Sequence, residues 1–377
     1  MRMSQRRGLL LALLLTLANT SALALPRFSL LTGTHCSACH FSPTGGGIRT
    51  ELGWGYMNQT GALNPSNYGL EALFGATSNT YIDNILTLGF DARLQVARLG
   101  IPPGLPPRRV IPMQLAPYAG VTLFEEQLRG YVMYNAGPTR YPGQGQVEGA
   151  VLYQPDVLWP SLQVGNFQPP IGVRYDDHTM FTRRNAPSNS YLIPPNFAEP
   201  GIQINYEKSW VSGSIGMFSA HSLSEADPTV QSTRPTLSGR IEFWPQLLDE
   251  GINGQVGASA LVNGDFRMIN LFAGVGLSDQ ATLAAEVMLS KNAAERSITN
   301  LMVQGSYQVS PWLALEGRYE RGRTVLPGLE DTEAESIVVG TQFFPIPFLE
   351  IRPEYRLFTK KDVYRMGQYT VQFHLFY

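Results

Sequence analysis

The chain has 377 residues, and 28 Lys and Arg against 30 Asp and Glu give it a formal net charge of -2. A balance so close to neutral gives no reason to expect nucleic acid as a partner. Charged residues make up only 15%, while glycine (37) and proline (27) are frequent, which is typical of short segments joined by turns.

The first residues of the chain have the features of a secretion signal. Three arginines precede a short apolar stretch over 8–17, and residues 22–24 (Ala-Leu-Ala) match a small-x-small cleavage site. We therefore predict a signal peptide over 1–24 and a mature chain that begins at Leu25. The apolar stretch is too short for a spanning helix, and no later stretch approaches the ~18 apolar residues that such a helix needs.

The segment over 25–80 is loop-like, rich in Gly, Asn, Ser and Thr, and contains both cysteines of the chain. Cys36-Ser37-Ala38-Cys39-His40 forms a C-x-x-C-H motif, the attachment signature of c-type haem. The two thiols at this spacing can each form a thioether to one porphyrin, and the adjacent histidine then supplies the proximal iron ligand. We predict one covalent haem c held by Cys36 and Cys39, with His40 on the iron.

Three other uses of a cysteine pair compete with haem attachment. A redox dithiol normally begins a helix in a thioredoxin-like βαβ unit, which this sequence does not indicate. A disulfide between residues three apart closes a very small loop and stabilises little. A structural zinc site needs four ligands, and the chain has no second cysteine pair.

The sixth iron ligand is a separate question. Met57 follows His40 within the same segment and is the candidate distal ligand, the alternative being a packing methionine. His35 is badly placed beside the motif, whereas His178 and His374 become candidates only if the segment docks inside a barrel. The glycines over 45–47 permit a tight turn against a flat macrocycle, and a flexible linker is the other interpretation.

Short segments of alternating hydrophobicity recur from about residue 81 to the end of the chain, separated by turn residues. In the ninth, Ile252, Val256 and Val262 share one face, with Gln255 and Ser259 opposite. We predict an all-β fold, a transmembrane antiparallel β-barrel of about sixteen strands over 81–377. The predicted strands are 83–99, 110–124, 127–137, 146–155, 161–168, 201–209, 211–220, 234–244, 252–263, 266–278, 281–291, 296–309, 312–322, 335–345, 348–359 and 366–377.

A soluble periplasmic sandwich is the competing interpretation of these strands. Two features favour the barrel and the bacterial outer membrane, with its lipid as partner. The odd-numbered connections are mostly long and polar and the even-numbered ones mostly short, the pattern of extracellular loops and periplasmic turns. The fifteenth strand carries Glu350, Arg352, Glu354 and Arg356 on one face, which suits a wet lumen and would be costly in a sandwich core.

The chain resembles the fused cytochrome–porin family, outer-membrane c-type cytochromes of iron-oxidising bacteria. The local match is residues 28–40, Phe-Ser-Leu-Leu-Thr-Gly-Thr-His-Cys-Ser-Ala-Cys-His, in which Leu30-Leu31 replaces the polar pair expected of the family. The resemblance implies a haem-bearing N-terminal segment joined to a barrel. It also implies electron transfer across the outer membrane, from an extracellular donor such as Fe(II) to a soluble periplasmic cytochrome, with possible iron-oxidase activity.

Two other functions stay open at this point. The protein could be a diffusion porin whose haem segment is a plug or sensor, or a conduit that exports electrons. For a plug, the lumen charges predicted to form ion pairs are Glu316, Arg318, Glu320, Glu350, Arg352, Glu354 and Arg356. For an extracellular cation, the candidate contacts are Asp176, Asp177, His178, Glu330, Asp331, Glu333 and Glu335, although acidic loops are usually only solvated.

Overall fold

The computed structural model describes residues 26–69, 78–99, 108–138, 141–174, 180–184, 191–248, 251–278, 280–361 and 363–377, so the predicted signal peptide lies outside the described residues. Sixteen long antiparallel strands form one barrel, and each predicted segment corresponds to one of them. Together with two short strands they are β1 Thr80–Tyr81, β2 Leu86–Leu99, β3 Arg108–Leu123, β4 Leu128–Tyr134, β5 Val147–Tyr153, β6 Ser161–Phe167, β7 Glu199–Lys208, β8 Val211–Phe218, β9 Thr236–Phe243, β10 Gln246–Leu248, β11 Ile252–Asn263, β12 Phe266–Leu277, β13 Ala281–Lys291, β14 Ser297–Ser310, β15 Leu313–Val325, β16 Thr332–Ile346, β17 Leu349–Lys360 and β18 Tyr364–Phe376.

The barrel is closed. Each long strand pairs with the next along the chain, β9 pairs with β11, and β18 pairs back onto β2 with Phe373 opposite Leu94. Closure leaves no sheet edge without a partner, which a bilayer demands because the hydrocarbon offers no hydrogen bonds to an open edge. The predicted all-β barrel of sixteen strands is confirmed.

The alternation of each strand follows the two environments of the barrel wall. On β12 the side chains of Ile269 and Leu271 are exposed on the outside, while Met268, Asn270 and Phe272 are buried inside. On β18, Gln372 and His374 are buried in the lumen. This apolar outer face is the one that lies against lipid, and a charge placed there would cost ~2–4 kcal/mol at the midplane.

The connections differ at the two ends of the barrel. The long ones over 135–146, 168–198 and 219–235 emerge at one end, and tight turns such as 209–210, 311–312 and 347–348 lie at the other. We assign the first end to the outside of the cell, following the pattern of bacterial outer-membrane barrels. Among the described residues, no helix is long and apolar enough to cross a membrane.

The lumen is filled from both ends. From the periplasmic end it receives residues 26–69, called the plug here, which contains helices α1 Pro26–Thr32, α2 Cys36–Cys39 and α3 Glu51–Asn58. From the other end it receives the described parts of the connection between β6 and β7, residues 168–174, 180–184 and 191–198, called the inner loop. The connection 219–235, with helix α4 His221–Ala226, packs over the inner loop through Leu223 and Val230 in one apolar cluster with Leu192 and Phe197.

Candidate functional site

The C-x-x-C-H motif lies inside the barrel, on the plug. Helix α2 is a single turn, so Cys36 and Cys39 lie about one helical turn apart. His40 follows at the end of α2 and donates its backbone N–H to the Cys36 carbonyl at 3.0 Å. The Ser37 hydroxyl donates to Glu207 Oε1 of β7 at 2.6 Å. The motif is therefore fastened to the barrel wall through its own middle residue.

Helix α3 packs across the motif helix and holds it in place. Thr50 caps α3 by accepting from the Gly53 N–H, and its hydroxyl donates to the Ala38 carbonyl at 2.8 Å. A Cβ at Gly53 would lie 2.4 Å from the Cys39 carbonyl oxygen, so only glycine permits this approach. The Thr50 side chain thus joins two helices that are each too short to be stable alone.

The loop after the motif turns back over it. Gly45, Gly46 and Gly47 all have positive φ, a conformation that L side chains rarely adopt. A Cβ at Gly45 would lie 3.5 Å from Cys36 Sγ, and one at Gly46 would collide with the guanidinium of Arg174 on the inner loop. The three glycines therefore let the backbone pass closely between the motif and the inner loop, as a structured turn and not as a linker.

Both thiols are free of any disulfide bond. Burial raises the pKa of the Cys36 thiol to about 11, and burial also raises the pKa of the Cys39 thiol. A redox dithiol needs the opposite shift, because the thiolate is the nucleophile and metal ligand. This environment disfavours the redox-dithiol interpretation of the motif.

His40 and the loop over 46–47 line a cavity between the plug and the inner loop. The chemistry of the donors fits a c-type haem: two reduced thiols one helical turn apart, the neighbouring histidine on a cavity wall, and glycines where side chains would collide. Cys36 and Cys39 are the residues that would hold the group, and His40 is the residue that would ligate its iron.

The four other candidate ligands fall in different places. Met57 is buried in an aromatic cluster with Trp54 and Phe348, one helical turn beyond Gly53 on the face of α3 that meets the motif. The His35 ring packs edge-on against Trp244, with Nε2 3.4 Å from the Ser209 carbonyl at the periplasmic rim.

The remaining two histidines were predicted to matter only for a segment docked in the lumen. His374 lies in the lumen between two carboxylates, with Nδ1 3.0 Å from Glu350 and Nε2 3.1 Å from Asp91. These contacts commit both ring nitrogens of His374 to the barrel wall. His178, like Asp176 and Asp177, lies outside the described residues.

The lumen charges divide between the plug, the inner loop and each other. Glu316 lies 3.6 Å from Arg27 of the plug, and Glu320 accepts from the backbone N–H of Phe181 in the inner loop. Arg318 pairs with Glu320, Arg352 pairs with Glu316 and Glu354, and Arg356 lies 3.9 Å from Glu320. Charges of the wall therefore contact both inserted segments.

The plug and the inner loop are held by further contacts with the wall, which could not be predicted from sequence patterns. Gly274 and Gly276 on β12 leave room for α1, since a Cβ at either would collide with Leu30. Asn253 donates to the Leu31 carbonyl at 3.0 Å. On the other side, Asn300 donates to the carbonyls of Phe181 and Arg184 of the inner loop. In the sequence, only the lumen-facing glycines and amides of the strands could have indicated where the plug and the inner loop contact the wall.

Comparisons with solved structures bear on the barrel. The chain is similar to the outer-membrane channel DcaP of Acinetobacter baumannii (TM-score 0.54, 11% identity, 78% of this chain and 97% of that chain). It is similar to an anion-selective porin from Comamonas acidovorans (TM-score 0.53, 10% identity, 78% and 99%) and to OprB of Pseudomonas putida (TM-score 0.56, 10% identity, 83% and 97%). No family model and no curated protein matches the sequence.

Lipid-facing strands, closure and these porin neighbours decide the location. The protein is an outer-membrane β-barrel. At about one-tenth identity the neighbours bear on the fold alone, and that fold is the barrel of the porins.

The carboxylates predicted as cation contacts around residues 331–335 are paired with side chains of β15. Asp331 pairs with Arg323, Glu333 lies within ion-pair distance of Arg321 and Arg323, and Glu335 accepts from Tyr319. Among the described residues, no group of three or more His, Cys, Asp or Glu could hold a metal ion. These carboxylates are paired with arginine or tyrosine side chains of β15, as is common on a solvated rim.

Proposed function

We propose that the protein is a porin-type channel whose lumen is controlled by its own N-terminal plug, and that the plug carries one covalent c-type haem. The observation that carries the proposal is the position of residues 26–69 inside the lumen. The neighbours described as an outer-membrane channel and an anion-selective porin support a channel function for this barrel.

The plug touches the wall on several sides. Helix α1 packs on β11, β12 and β13. Phe41 packs edge-on against Tyr131 of β4, which lies elsewhere around the wall. The N–H groups of Ala62 and Leu63 donate to the carbonyls of Phe344 and Pro345 at the end of β16. A segment that reaches the wall in these places obstructs the periplasmic mouth, so a solute can pass only where the plug yields.

Three residues of the plug would hold the haem. Cys36 and Cys39 would bind it covalently, and His40 would ligate its iron. When bound, the haem supplies a one-electron couple, whose potential depends on its axial ligands and on burial. Met57 is proposed as the distal ligand through the face of α3 that it shares with Gly53.

A second function is favoured by one specific observation. The motif lies within the lumen, beside a cavity that the inner loop also lines, and not free in the periplasm. This position suits an electron-transfer protein that takes electrons from an extracellular donor such as Fe(II) and gives them to a periplasmic cytochrome. The direction could also be reversed, and the potential of the haem separates the two directions.

Conductance of the purified full-length protein in a planar bilayer tests the plug. Gly276→Val places a branched side chain where Leu30 of α1 lies, and we expect a several-fold higher conductance than that of the wild type. The matched control is Gly317→Val, on the lipid face, where an added Cβ meets nothing within 4 Å. Equal conductance of the wild type and both variants would contradict the plug, provided that circular dichroism shows intact strands.

Visible spectra of the same samples test the haem and the second function. Covalent c-type bands that survive denaturation support the haem, and their absence after expression with the attachment machinery removes it and leaves a plugged porin. For electron transfer, Fe(II) is added outside proteoliposomes that enclose an oxidised soluble cytochrome c. Reduction of the enclosed cytochrome c that occurs only with haem-loaded protein supports an electron conduit. Ion conductance with no such reduction supports a channel.

A further inference from the structure

The outward-facing side chains at the extracellular ends of β2 and β18 are cationic. Arg98 is exposed on the outer face of β2, directly opposite Tyr369 of β18. Arg365 is exposed on the same face of β18, about 13 Å farther from the membrane centre. Lys361 is exposed in the turn that joins β17 to β18. These cations therefore lie close together where the last strand of the barrel pairs with β2.

Aromatic residues mark the level of these cations relative to the membrane. The Tyr369 side chain is 62% exposed, and its ring packs against that of Tyr355 with 4.7 Å between the centroids. A Cβ at Gly367 would lie 2.6 Å from the Tyr355 hydroxyl, so glycine leaves that hydroxyl room on the outer surface. Tyrosines, with an apolar ring and a polar tip, are typical of the membrane interface. Arg98 therefore lies at the level of the lipid headgroups, and Arg365 lies just beyond it.

The sequence around these positions has a large positive excess. Residues 97–110 contain three arginines and no acidic residue, and residues 359–366 contain three cations and one aspartate. Six cations (+6) and one aspartate (-1) give these two segments a formal charge of +5. The strand register places Arg108 directly opposite Arg98, and like charges in that position destabilise a sheet. Within the described parts of the chain, neither Arg98 nor Arg365 takes part in an ion pair.

Neighbouring carboxylates do not neutralise this charge. The rim over 321–335, beside β17, contains two arginines (+2) and four acidic residues (-4), so including it still leaves +3. Three of those four carboxylates already contact side chains of β15. The connection 135–146, beside β3, contains no acidic residue. The acidic residues within β2, β17 and β18 face the lumen and pair there with other side chains: Asp91, Glu350 and Glu354.

We infer that this cationic sector, formed by the extracellular ends of β2, β3 and β18, binds the phosphate groups of a phosphorylated lipid in the outer leaflet. Arg98 and Arg365 are the principal contacts, because a guanidinium fork matches phosphate oxygens in geometry as well as in charge. A phosphate between the strands also relieves the repulsion between Arg98 and Arg108. The headgroup level of Arg98 favours a lipid phosphate over free phosphate ions. The inference goes beyond the proposed function, since no residue of the plug is involved.

Binding of a fluorescently labelled lipopolysaccharide without O-antigen to the full-length protein in detergent is measured by anisotropy. EDTA is present, because divalent ions could bridge lipid phosphates to the carboxylates of the rim. We expect Arg98→Gln and Arg365→Gln each to weaken binding several-fold, and the double variant to weaken it at least tenfold. The matched control is Lys208→Gln, which removes an exposed cation beside Tyr206 at the periplasmic end and should leave binding within about twofold.

Two further measurements use the wild-type protein and so do not depend on the folding of a variant. Lipopolysaccharide treated with phosphatase should bind at least ten times more weakly than the untreated lipid, and inorganic phosphate should not displace the labelled lipid. The inference is overturned if the double variant binds like the Lys208→Gln control, or if the treated and untreated lipids bind equally. Displacement by inorganic phosphate would assign the sector to free phosphate ions and overturn the lipid as its ligand. None of these outcomes bears on the plug, which conductance tests separately.

Discussion

The ion pair between the plug and the wall gives a quantitative test of docking. Arg27 lies 3.6 Å from Glu316, and both side chains are less than a tenth exposed. At an effective dielectric constant of about 20, unit charges at this separation attract by about 5 kcal/mol. Glu316→Gln removes the partner and leaves Arg27 buried, so we expect docking to weaken by about 3 kcal/mol, the lower end for a broken buried pair.

Replacing Arg27, the other member of the pair, should weaken docking much less. Arg27→Met removes the buried cation itself, and Glu316 keeps Arg352 at 3.3 Å as a partner. We expect about 1 kcal/mol or less for Arg27→Met, and the double variant should recover most of the loss of Glu316→Gln. The asymmetry follows because Glu316 keeps an ion-pair partner at 3.3 Å, whereas Arg27 keeps only the longer-range attraction of Glu350.

Thermolysin cleavage within residues 26–69 measures docking, because cleavage follows the population of the open form when opening is fast. We expect Glu316→Gln to raise the cleavage rate about a hundredfold, since 1.4 kcal/mol is a factor of ten. The control Glu333→Gln breaks an exposed pair with Arg321 and should change little. Equal effects of Glu316→Gln and Arg27→Met would refute the reasoning.

Two further predictions concern the motif and the inner loop. In haem-free protein the Cys36 thiol should react with iodoacetamide far more slowly at pH 8 than an ordinary thiol, because its pKa of about 11 leaves little thiolate. The labelling rate should rise up to about pH 11, and fast labelling at neutral pH would disprove the buried environment. Asn300→Ala removes the amide that holds the Phe181 and Arg184 carbonyls, at 2.5 and 2.8 Å. We expect a larger and noisier single-channel conductance, and an unchanged trace would show that the inner loop is held by other contacts.

The strands of this barrel could be predicted because lipid and lumen impose opposite demands on neighbouring residues. On β18 the Tyr369 and Phe373 side chains face outward while Gln372 faces inward, as the alternation required. The predicted strand ends were wrong where charged residues continue the β-pairing beyond the apolar alternation. The thirteenth strand was predicted to end at 322, yet β15 continues to Val325, because Arg323 pairs across the rim with Asp331.

The motif itself could be recognised from the sequence, but the residues that surround it in the fold could not. The spacing of Cys36, Cys39 and His40 depends on local covalent geometry, so four or five letters suffice to recognise it. The seat of Met57 among Trp54 and Phe348 depends on residues nearly three hundred positions apart, and no local pattern records such a contact.

The aromatic packing site of Trp54 on the barrel wall, called the seat here, also sets an order of events during assembly of the barrel. Trp54 packs against Phe348 and against the terminal residue Tyr377, whose backbone bonds with Phe90 beside the closing pair of strands. This seat does not exist until the last strand has been delivered and the wall has closed. Residues 26–69 therefore dock only after β18 has paired with β2, and until then Cys36 and Cys39 are not enclosed by the wall. The haem proposed for Cys36 and Cys39 would therefore have to be attached before the wall closes around the motif.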